Sequence, residues 1–374
     1  MTENIKNGSY LVCPDSFKGS LDAHEAAEAI AAGILEADKG ASVDIMPLAD
    51  GGEGTARILG EALGASCRRV GTADALGRDV VAEIFLAGCG EQAVTGTAVN
   101  AGRDGVAIMD VASAIGLGRL EPDERDIMHA TSRGAGLLVA AAVHSGAHHI
   151  IIGLGGTATC DGGMGMREVM RQRLRHEDLA GIKFTILCDV DNPFYGEQGA
   201  AYVFAPQKGA TPEQVKELDG RLRHQALEMA ERTGVDVSFM PGAGAAGGIA
   251  GMMAAEFGAE LTRGIDVVLE TIGFNERTKA ADAIFTGEGR IDSQTPRGKT
   301  LSGVCARAYG MGKPVVAFGG QVEYSPLLEG MFSRIVCINE AGTPAAVAMN
   351  PEHARKALQR AAFESCRALV KQLP

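Results

Sequence analysis

The sequence predicts an α/β protein with two domains, one of which is built on a doubly wound parallel sheet. Strand-like and helix-like segments alternate near both ends of the chain, which is typical of a parallel sheet covered by helices. The chain has 374 residues, more than one domain usually contains. Its middle part has short strand-like pieces separated by turns, and this change of texture indicates a second domain inserted into the first.

The first two strand–helix units are recognised from hydrophobic runs that lead into glycine-containing loops. "YLVC" predicts a strand, and "LDAHEAAEAIAAGILEA" predicts an Ala-rich helix with Ser20 as its N-cap. "SVDIMPLA" predicts the second strand and "TARILGEALG" the second helix. These units belong to the parallel sheet.

The middle of the chain begins with a predicted β-meander, formed by "RRVGTADALGRDVVAEIFLA", "EQAVTGTAV" and "VAIMDVA". A helix in "SRGAGLLVAAAVHSGA" and strands in "HHIII" and "KFTILCDV" follow. Thr211 and Pro212 begin a long amphipathic helix, since proline is favoured in the first turn of a helix.

The last third returns to a regular alternation of strands and helices. It reads as strand "ADAIFTG", helix "LSGVCARAYG", strands "PVVAFGG" and "RIVCIN", and a closing helix. We therefore expect residues 8–70 and 280–374 to form one α/β domain and residues 71–279 to form the inserted domain. The active site is expected in the cleft between them.

Composition and charge exclude several classes of partner. The net charge is −12 and no basic block occurs, which argues against nucleic acid and anionic membrane surfaces as partners. No apolar run approaches the ~18 residues of a membrane span, and the eight cysteines form no C-x-x-C pair. We expect a cytoplasmic protein with free thiols. A homodimer is compatible with the sequence.

Polar side chains follow five of the predicted strands, at the edge where ligands bind in open parallel sheets. Each of these loops contains a carboxylate, and four have glycine nearby. They contain Asp15, Ser16 and Lys18; Asp50 and Glu53; Asp161; Asp189, Asp191 and Asn192; and Glu288, Arg290 and Asp292. Together they predict a metal-assisted site for an anionic substrate.

Glycine-rich loops provide a second indication of anion binding. "GLGGTATCDGGMGM", Gly153 to Met166, follows the "HHIII" strand, and "GAGAAG", Gly242 to Gly247, precedes a predicted helix. Backbone N–H groups in such loops, with a helix dipole, can hold phosphate. "GAGAAG" also fits the dinucleotide fingerprint G-x-G-x-x-G, but the stretch where its acidic residue should end a strand, "GIDVVLETIGF", looks helical.

Basic residues in these loops are few. Lys18, Arg133, Lys208 and Arg290 are the candidates, and a guanidinium flanked by glycines can present its fork to a carboxylate or phosphate. "SQTPRGKT" resembles a phosphate-binding P-loop, with Ser293 in place of the first glycine. A true P-loop is not expected there, but Lys299 at the following helix can still contact phosphate.

Seven segments resemble the bacterial glycerate kinase family, and they occur in order between about Val12 and Gly320: "PDSFKGSL", "ADGGEGT", "GLGGTATCDGGMGM", "CDVDNP", "PQKGATP", "PGAGAAGG" and "TGEGRIDSQ". The resemblance implies a flavodoxin-like domain with an inserted α/β domain, ATP and Mg²⁺ as co-substrates, and D-glycerate as the acceptor, with 2-phosphoglycerate as the product. Gly19 stands where the family usually has Glu and Cys160 where Asn is common. The stretch between Met166 and "CDVDNP" is shorter than in relatives.

The expected roles follow from the chemistry of phosphoryl transfer, which requires placement, charge neutralisation and a proton acceptor. Asp189 is the expected base or its orienting partner, with Lys18 as a second catalytic residue; Glu288 and Asp292 are the expected Mg²⁺ contacts. The expected substrate-binding residues are Asp15, Ser16, Asp50, Arg133 and Arg290, and Lys18, Arg133 and Arg290 are the candidate cations for the substrate carboxylate. The expected ATP- or phosphate-binding residues are Gly155, Gly156, Thr157, Asp161, Lys208, Gly244, Gly247 and Lys299.

Three alternatives stay open at this point. The enzyme could form 3-phosphoglycerate or phosphorylate another small hydroxy acid. It could be a dinucleotide-dependent oxidoreductase that uses Gly242 to Gly247. A ligand sensor without catalysis is disfavoured, because so many carboxylates lie in the loops.

Overall fold

The computed structural model describes residues 8–89, 105–293, 295–296 and 300–370. The predicted strand "EQAVTGTAV" and Lys299 lie outside the described residues. The chain divides into two compact units: unit 1 comprises Met1–Asp50 and Ile265–Pro374, and unit 2 comprises Gly51–Gly264.

The described strands are β1 (Ser9–Val12), β2 (Ser42–Ile45), β3 (Ser66–Ala73), β4 (Asp79–Ala87), β5 (Gly105–Asp110), β6 (Ala147–Gly153), β7 (Lys183–Leu187), β8 (Glu260–Thr262), β9 (Ala283–Ile291), β10 (Val315–Val322) and β11 (Arg334–Cys337).

The described α-helices are α1 (Ala23–Ala37), α2 (Thr55–Ala62), α3 (Ala112–Ile115), α4 (Arg133–His144), α5 (Met164–Arg173), α6 (His176–Leu179), α7 (Ala200–Phe204), α8 (Pro212–Thr233), α9 (Ile249–Phe257), α10 (Gly264–Thr271), α11 (Phe274–Ala280), α12 (Thr300–Tyr309), α13 (Pro326–Met331), α14 (Ala345–Ala348) and α15 (Pro351–Val370). Short 3₁₀ turns lie at Leu117–Arg119, Pro122–Glu124, Pro206–Lys208 and Ala245–Gly248. In the part of the chain that the structure describes, no helix is both long enough and apolar enough to cross a membrane.

Unit 1 contains a five-stranded sheet in the order β11-β10-β9-β1-β2, and all of its pairings are parallel. This is the flavodoxin-like order, which confirms the predicted fold class. Side chains alternate between the faces of a strand. Tyr10 and Val12 therefore pack into a core with α1 and α15, while α11 and α12 contact the sheet through β1, β9 and β10.

The N-terminus of α1 differs from the prediction. Asp22, rather than Ser20, is the N-cap: its side chain accepts a hydrogen bond from Glu25 N, and the Glu25 side chain accepts one from Asp22 N. Ser20 instead donates its hydroxyl proton to Phe17 O at 2.9 Å. The prediction of Ser20 is wrong because a reciprocal capping box satisfies two helix-end donors, whereas a lone serine satisfies one.

Unit 2 contains a six-stranded mixed sheet in the order β3-β4-β5-β6-β7-β8. The pairs β3–β4 and β4–β5 are antiparallel, as the predicted meander requires, and the remaining three pairs are parallel. Its core is rich in Ala, Ile and Met side chains from the sheet and from α4, α5, α8 and α9. Thr211 caps α8 by accepting a hydrogen bond from Gln214 N, as predicted.

Both boundaries between the units lie earlier in the chain than the sequence suggests. The contacts put the boundaries after Asp50 and after Gly264, where the sequence suggests residues 70 and 279. The reason at the first boundary is α2, whose contacts are with β4, β5 and β6 of unit 2. At the second boundary α10 groups with unit 1, and Gly303 of α12 lies close against Ile265.

Candidate functional site

Most candidate residues of unit 1 lie in the loop after β1, on the last part of β9 and just after β9. The strand order reverses between these two strands, and ligands bind outside the carboxyl ends of strands at such a switch point. Asp15 follows β1, and its backbone N–H donates to Gly287 O of β9 at 2.8 Å. The two strands therefore bring the first and the last of the predicted carboxylate loops together.

Asp15 is held in one orientation by two hydrogen bonds to its carboxylate. Thr300 Oγ1, at the start of α12, donates to Asp15 Oδ2 at 2.6 Å, and Ser16 N donates to Oδ1 at 2.6 Å. Burial, and then the negative charge of Asp50, raise the pKa of Asp15 to about 6, although both hydrogen bonds lower it. This raised pKa brings the carboxylate close to the range in which general bases operate.

Glu288 lies on β9, and Asp292 lies just after the end of that strand. Thr295 Oγ1 donates to Glu288 Oε1 at 3.0 Å, and Asp292 N donates to Thr295 Oγ1 at 3.1 Å. Arg290 Nε pairs with Asp292 Oδ2 at 3.0 Å, and its guanidinium also pairs with Glu323. One buried threonine therefore joins the Glu288 carboxylate to the backbone of Asp292, and these are the two residues predicted to contact Mg²⁺.

The prediction that Glu288 and Arg290 lie in a loop after the strand is wrong. β9 continues to Ile291 and pairs with β10 as far as Val322. Glycines on β9 and β10 allow other backbone to lie against these strands. A Cβ on Gly289 of β9 would be 3.2 Å from Lys18 N, and one on Gly320 of β10 would be 2.7 Å from Gly289 O. Glycine here reflects close backbone packing within a strand.

Lys18 is exposed in the loop after β1, while Ser16 and Asp50 are half-buried. Ser16 contacts Asp15 through its backbone N–H. Asp50 lies close enough to Asp15 to raise the pKa of that carboxyl. Lys18, Ser16 and Asp50 are thus arranged around Asp15.

The candidate residues of unit 2 begin with the glycine loop after β6. Gly155 N donates to Gly51 O at 3.3 Å, and a Cβ on Gly155 would lie 2.6 Å from Gly52 Cα. A Cβ on Gly247 would lie 2.2 Å from Thr159 O, and one on Gly248 would lie 2.7 Å from Gly162 Cα. These glycines therefore bring three loops of the chain into backbone contact.

Asp161, a predicted phosphate-binding residue, has its carboxylate bound by the starts of two helices. Ser132 N and Ser132 Oγ, before α4, each donate to Oδ2 at 2.8 Å. Gly163 N donates to Oδ1 at 3.0 Å and Gly165 N to Oδ2 at 3.1 Å, both at the start of α5. A carboxylate here is stabilised by both helix dipoles, and it fixes α4 to α5.

Lys208, another predicted phosphate-binding residue, is 4 % exposed. Its Nζ donates to Thr159 O at 2.7 Å and to Thr157 Oγ1 at 3.3 Å, and burial lowers its pKa. Gly156 and Thr157 are in turn tied to other parts of unit 2, since Leu117 N donates to Gly156 O at 2.8 Å and Thr157 forms a β-bridge with Gly116. Lys208 therefore holds the glycine loop after β6 in place through its bonds to Thr157 and Thr159.

Asp189 follows β7, and its Oδ1 accepts a hydrogen bond from Gly264 N at 3.0 Å. A Cβ on Gly51 would lie 3.5 Å from Asp189 Oδ2, so this carboxylate borders the Gly51 turn. Arg133, the first residue of α4, is exposed and pairs with Glu168 at 3.2 Å. The structure thus brings Asp189 to the glycine turn before α2 and gives Arg133 an acidic partner on α5.

The loop from Gly242 to Gly248 has unusual backbone conformations. Ala246 has φ +53°, a left-handed conformation that L side chains rarely adopt, and Gly247 follows at φ +66°. Strain of this kind is common at functional sites. A Cβ on Gly244 would lie 2.3 Å from Pro193 O, so the loop packs on the segment after Asp189. Residues 235–241 form turns and extended coil rather than the strand that a dinucleotide fingerprint requires.

Three important residues were missed at the sequence level. Thr300 is the last residue of "SQTPRGKT" and could have been found there, because that position carries a ligand-contacting hydroxyl in a P-loop. Thr295 and Ser132 have no such signal, since their partners become neighbours only on folding. Within residues 8–89, 105–293, 295–296 and 300–370, no group of three or more His, Cys, Asp or Glu side chains is arranged to hold a metal ion.

The flavodoxin-like sheet, with carboxylates just after β1 and along β9, places the chain in the class of open α/β proteins, in which ligands generally bind at a switch point. Comparison with known proteins specifies the class. The sequence model of the Glycerate kinase family matches residues 10–178 and 168–370. The two matched ranges overlap at 168–178, within the stretch after Met166 that departs from the family pattern.

Curated relatives cover most of the chain. A "Glycerate kinase" of Halalkalibacterium halodurans is 37 % identical over 337 residues, which is 83 % of this chain and 85 % of the relative. A "Glycerate kinase" of Bacillus subtilis is 36 % identical and covers 94 % of this chain and 95 % of its own length. A "Glycerate 2-kinase" of Escherichia coli is 36 % identical, covering 83 % of this chain and 85 % of the relative.

The solved structure "Crystal structure of putative glycerate kinase 2 from Salmonella typhimurium LT2" has a TM-score of 0.79 and 33 % identity. The match covers 98 % of this chain and 100 % of that one. The chain therefore belongs to the glycerate kinase family and is an enzyme of the kinase class.

Proposed function

We propose that this enzyme transfers the γ-phosphoryl group of ATP to D-glycerate in a Mg²⁺-dependent reaction and releases 2-phospho-D-glycerate. The observation that carries the proposal is the pair of carboxylates Asp15, just after β1, and Glu288, within the adjacent strand β9, each bonded by a threonine hydroxyl. The E. coli relative named "Glycerate 2-kinase" supports the choice of product.

Phosphoryl transfer requires positioning and charge neutralisation rather than covalent help from the protein. Mg²⁺ would supply positive charge at the phosphate oxygens, and it commonly binds one or two carboxylates together with phosphates and water. Glu288 and Asp292 fit this requirement as a pair of carboxylates, because Thr295 joins the Glu288 carboxylate to the backbone N–H of Asp292. Thr295 would thus hold the two candidate ligands in fixed positions.

The attacking hydroxyl of glycerate must lose its proton. We assign this to Asp189, whose Oδ1 is oriented by Gly264 N, so that the carboxylate keeps one direction during the reaction. Asp15 is the carboxylate whose raised pKa would also suit proton transfer, and its position next to Lys18 suits the binding of the substrate.

The carboxylate of glycerate needs a cation. Lys18 is exposed in the loop after β1, whereas Arg133 pairs with Glu168 and Arg290 pairs with Asp292 and Glu323. We therefore propose Lys18 as the principal contact for the substrate carboxylate. The loops at 153–163 and 242–248 are proposed to bind the phosphates of ATP. Lys208 holds the first loop in place by donating a hydrogen bond to Thr159 O.

The first experiment is a coupled ADP-release assay with ATP, Mg²⁺ and D-glycerate, with and without EDTA, followed by ³¹P NMR of the product. Turnover that EDTA abolishes and that yields 2-phosphoglycerate is the expected result. A 3-phosphoglycerate signal would replace the proposed regiochemistry. No turnover by a folded protein would overturn glycerate as the acceptor, and a panel of small hydroxy acids would then be assayed.

A further inference from the structure

A cluster of arginines lies where α5, α8 and α9 meet in unit 2. Arg167 and Arg171 are four residues apart on α5 and so share one face of that helix. Arg232 is in the last turn of α8, and Glu256 is in the last turn of α9. The function proposed above uses none of these four residues.

Glu256 is the centre of the cluster, and its side chain is 1 % exposed. Arg171 Nη2 lies 2.6 Å from Glu256 Oε2, Arg232 pairs with Oε1, and Arg167 Nη1 lies 3.7 Å from Oε1. A buried carboxylate must be paired, but one guanidinium can provide two parallel hydrogen bonds. Three arginines are therefore more than Glu256 requires.

The surplus of positive charge remains when the neighbouring acids are included. Glu228 lies near Arg167 and Arg232, and Glu168 pairs with Arg133. The surroundings then contain four arginines and three glutamates. Burial, and then the charge of the neighbouring guanidinium groups, lowers the pKa of both Arg167 and Arg232, and like charges this close repel one another. An additional anion would relieve that repulsion.

A surface pocket of about 400 Å³ opens beside this cluster. It is lined by Met164, Arg167, Glu168, Arg171 and Gln172. The volume is in the range of small-molecule sites. Arg171 keeps 49 % of its side chain exposed and Arg167 keeps 22 %, so both side chains are accessible from solvent. Glu168, the acid of the lining, is already bonded by Arg133 and by Gln172 Nε2, which offsets its charge.

We propose that this pocket binds a small dianion that carries a phosphate group, held by the guanidinium forks of Arg167 and Arg171. Phosphate oxygens match the planar fork of arginine in charge and in spacing. None of the residues that line the pocket is assigned to phosphoryl transfer. The pocket lies on α5, whose N-terminus Asp161 ties to α4, so an occupant would also stabilise that helix pair.

The test is a titration with inorganic phosphate by isothermal calorimetry, at constant ionic strength maintained with chloride. Three proteins are compared: the wild type, Arg171→Gln, and Arg221→Gln as a matched control. Arg221 is also an arginine in an ion pair, with Glu217 on α8, but it does not line the pocket. We expect Arg171→Gln to weaken phosphate binding roughly tenfold or more and Arg221→Gln to leave it unchanged.

A second variant tests the pocket without removing any of the arginines that pair with Glu256. Gln172→Glu adds a negative charge at the pocket and leaves all contacts of Glu256 in place, so it should weaken phosphate binding; the lost hydrogen bond to Glu168 should lower the melting temperature less than Arg171→Gln does. Phosphate bound at the catalytic residues would be insensitive to both pocket variants. Absence of phosphate binding by the wild type, or equal binding by the wild type and both pocket variants, would overturn the proposal. Tighter binding of glycerol 3-phosphate than of inorganic phosphate would identify a phosphomonoester as the occupant, and the reverse order would identify free phosphate.

Discussion

Thr300 Oγ1 donates a 2.6 Å hydrogen bond to Asp15 Oδ2, and the two residues are 285 positions apart in the chain. The bond joins the start of α12 to the loop after β1, within the unit that has the flavodoxin-like sheet. It stabilises the ionised form of a carboxyl whose pKa burial raises to about 6. Thr300 is therefore expected to set the protonation of Asp15 during catalysis.

Replacing Thr300 by Val should move the pH profile of the kinase. Loss of the hydroxyl removes a bond that lowers the pKa of Asp15, so this pKa rises further above 6. A hydrogen bond to a charged group is worth about 1.5–3 kcal/mol, which corresponds to a shift of about one unit or more. The acidic limb of kcat/KM against pH should move upward by that amount in Thr300→Val and remain in place in Thr300→Ser. An unchanged limb in Thr300→Val would show that Asp15 does not control it.

Asp189→Asn should lower kcat by several orders of magnitude while the fold persists. The asparagine keeps the shape and can still accept a hydrogen bond from Gly264 N, but it cannot take a proton. Asp191→Asn is the matched control, because Asp191 is an exposed acid in the same loop. Steady-state kinetics and circular dichroism of both variants provide the measurement. Near-normal turnover in Asp189→Asn would exclude Asp189 as the base.

Gly155→Ala should destabilise the glycine loop severely. The added Cβ would lie 2.6 Å from Gly52 Cα, a backbone atom that cannot swing aside as a side chain can. Overpacking of this kind costs about 1–3 kcal/mol and can cost more. Gly118→Ala is the control, since its Cβ would meet no described atom within 4 Å. Thermal unfolding should show a lower melting temperature for Gly155→Ala alone, and equal values would contradict the close packing of the two loops.

The buried Asp110 should make the stability of the protein depend on pH. Its carboxylate accepts hydrogen bonds from Gly54 N at 2.9 Å and Ala56 N at 3.1 Å, at the start of α2. Burial nevertheless raises its pKa to about 7, whereas an unfolded Asp titrates near 3.9. Between these values the folded protein binds the proton that the unfolded chain has lost. The free energy of unfolding therefore falls as the pH rises from about 4 to 7, by an amount on the order of 4 kcal/mol.

Asp110→Asn removes this ionisation and keeps one acceptor oxygen for the backbone. Urea unfolding at a series of pH values between 5 and 7.5 should show a smaller decline in stability for the variant than for the wild type. The difference between the two proteins isolates Asp110 from Asp15, whose raised pKa acts in the same direction. Parallel curves would mean that Asp110 is already ionised in the folded protein at pH 5.

The sequence by itself determined the strands of the first sheet, most of the long helices, the doubly wound α/β class and most of the places where carboxylates follow strands. These features depend on local properties: the spacing of apolar residues, turn chemistry and capping. Even at this level two details required the structure. Asp22 replaces Ser20 as the cap of α1, and β9 extends through Glu288 and Arg290, because pairing with β10 continues beyond the hydrophobic run.

Only the tertiary structure decided which groups the polar and glycine residues meet. Asp161 binds the start of α4 through Ser132, Lys208 supports Thr157 and Thr159, and Thr300 bonds to Asp15. The glycines that indicated a ligand contact also allow one loop to lie on another, as at Gly155 and Gly52. The physical reason is that these partners lie tens to hundreds of residues apart in the chain. Their hydrogen bonds and close contacts exist only after strand order and helix packing have brought them together. No local sequence pattern specifies which distant residues will meet.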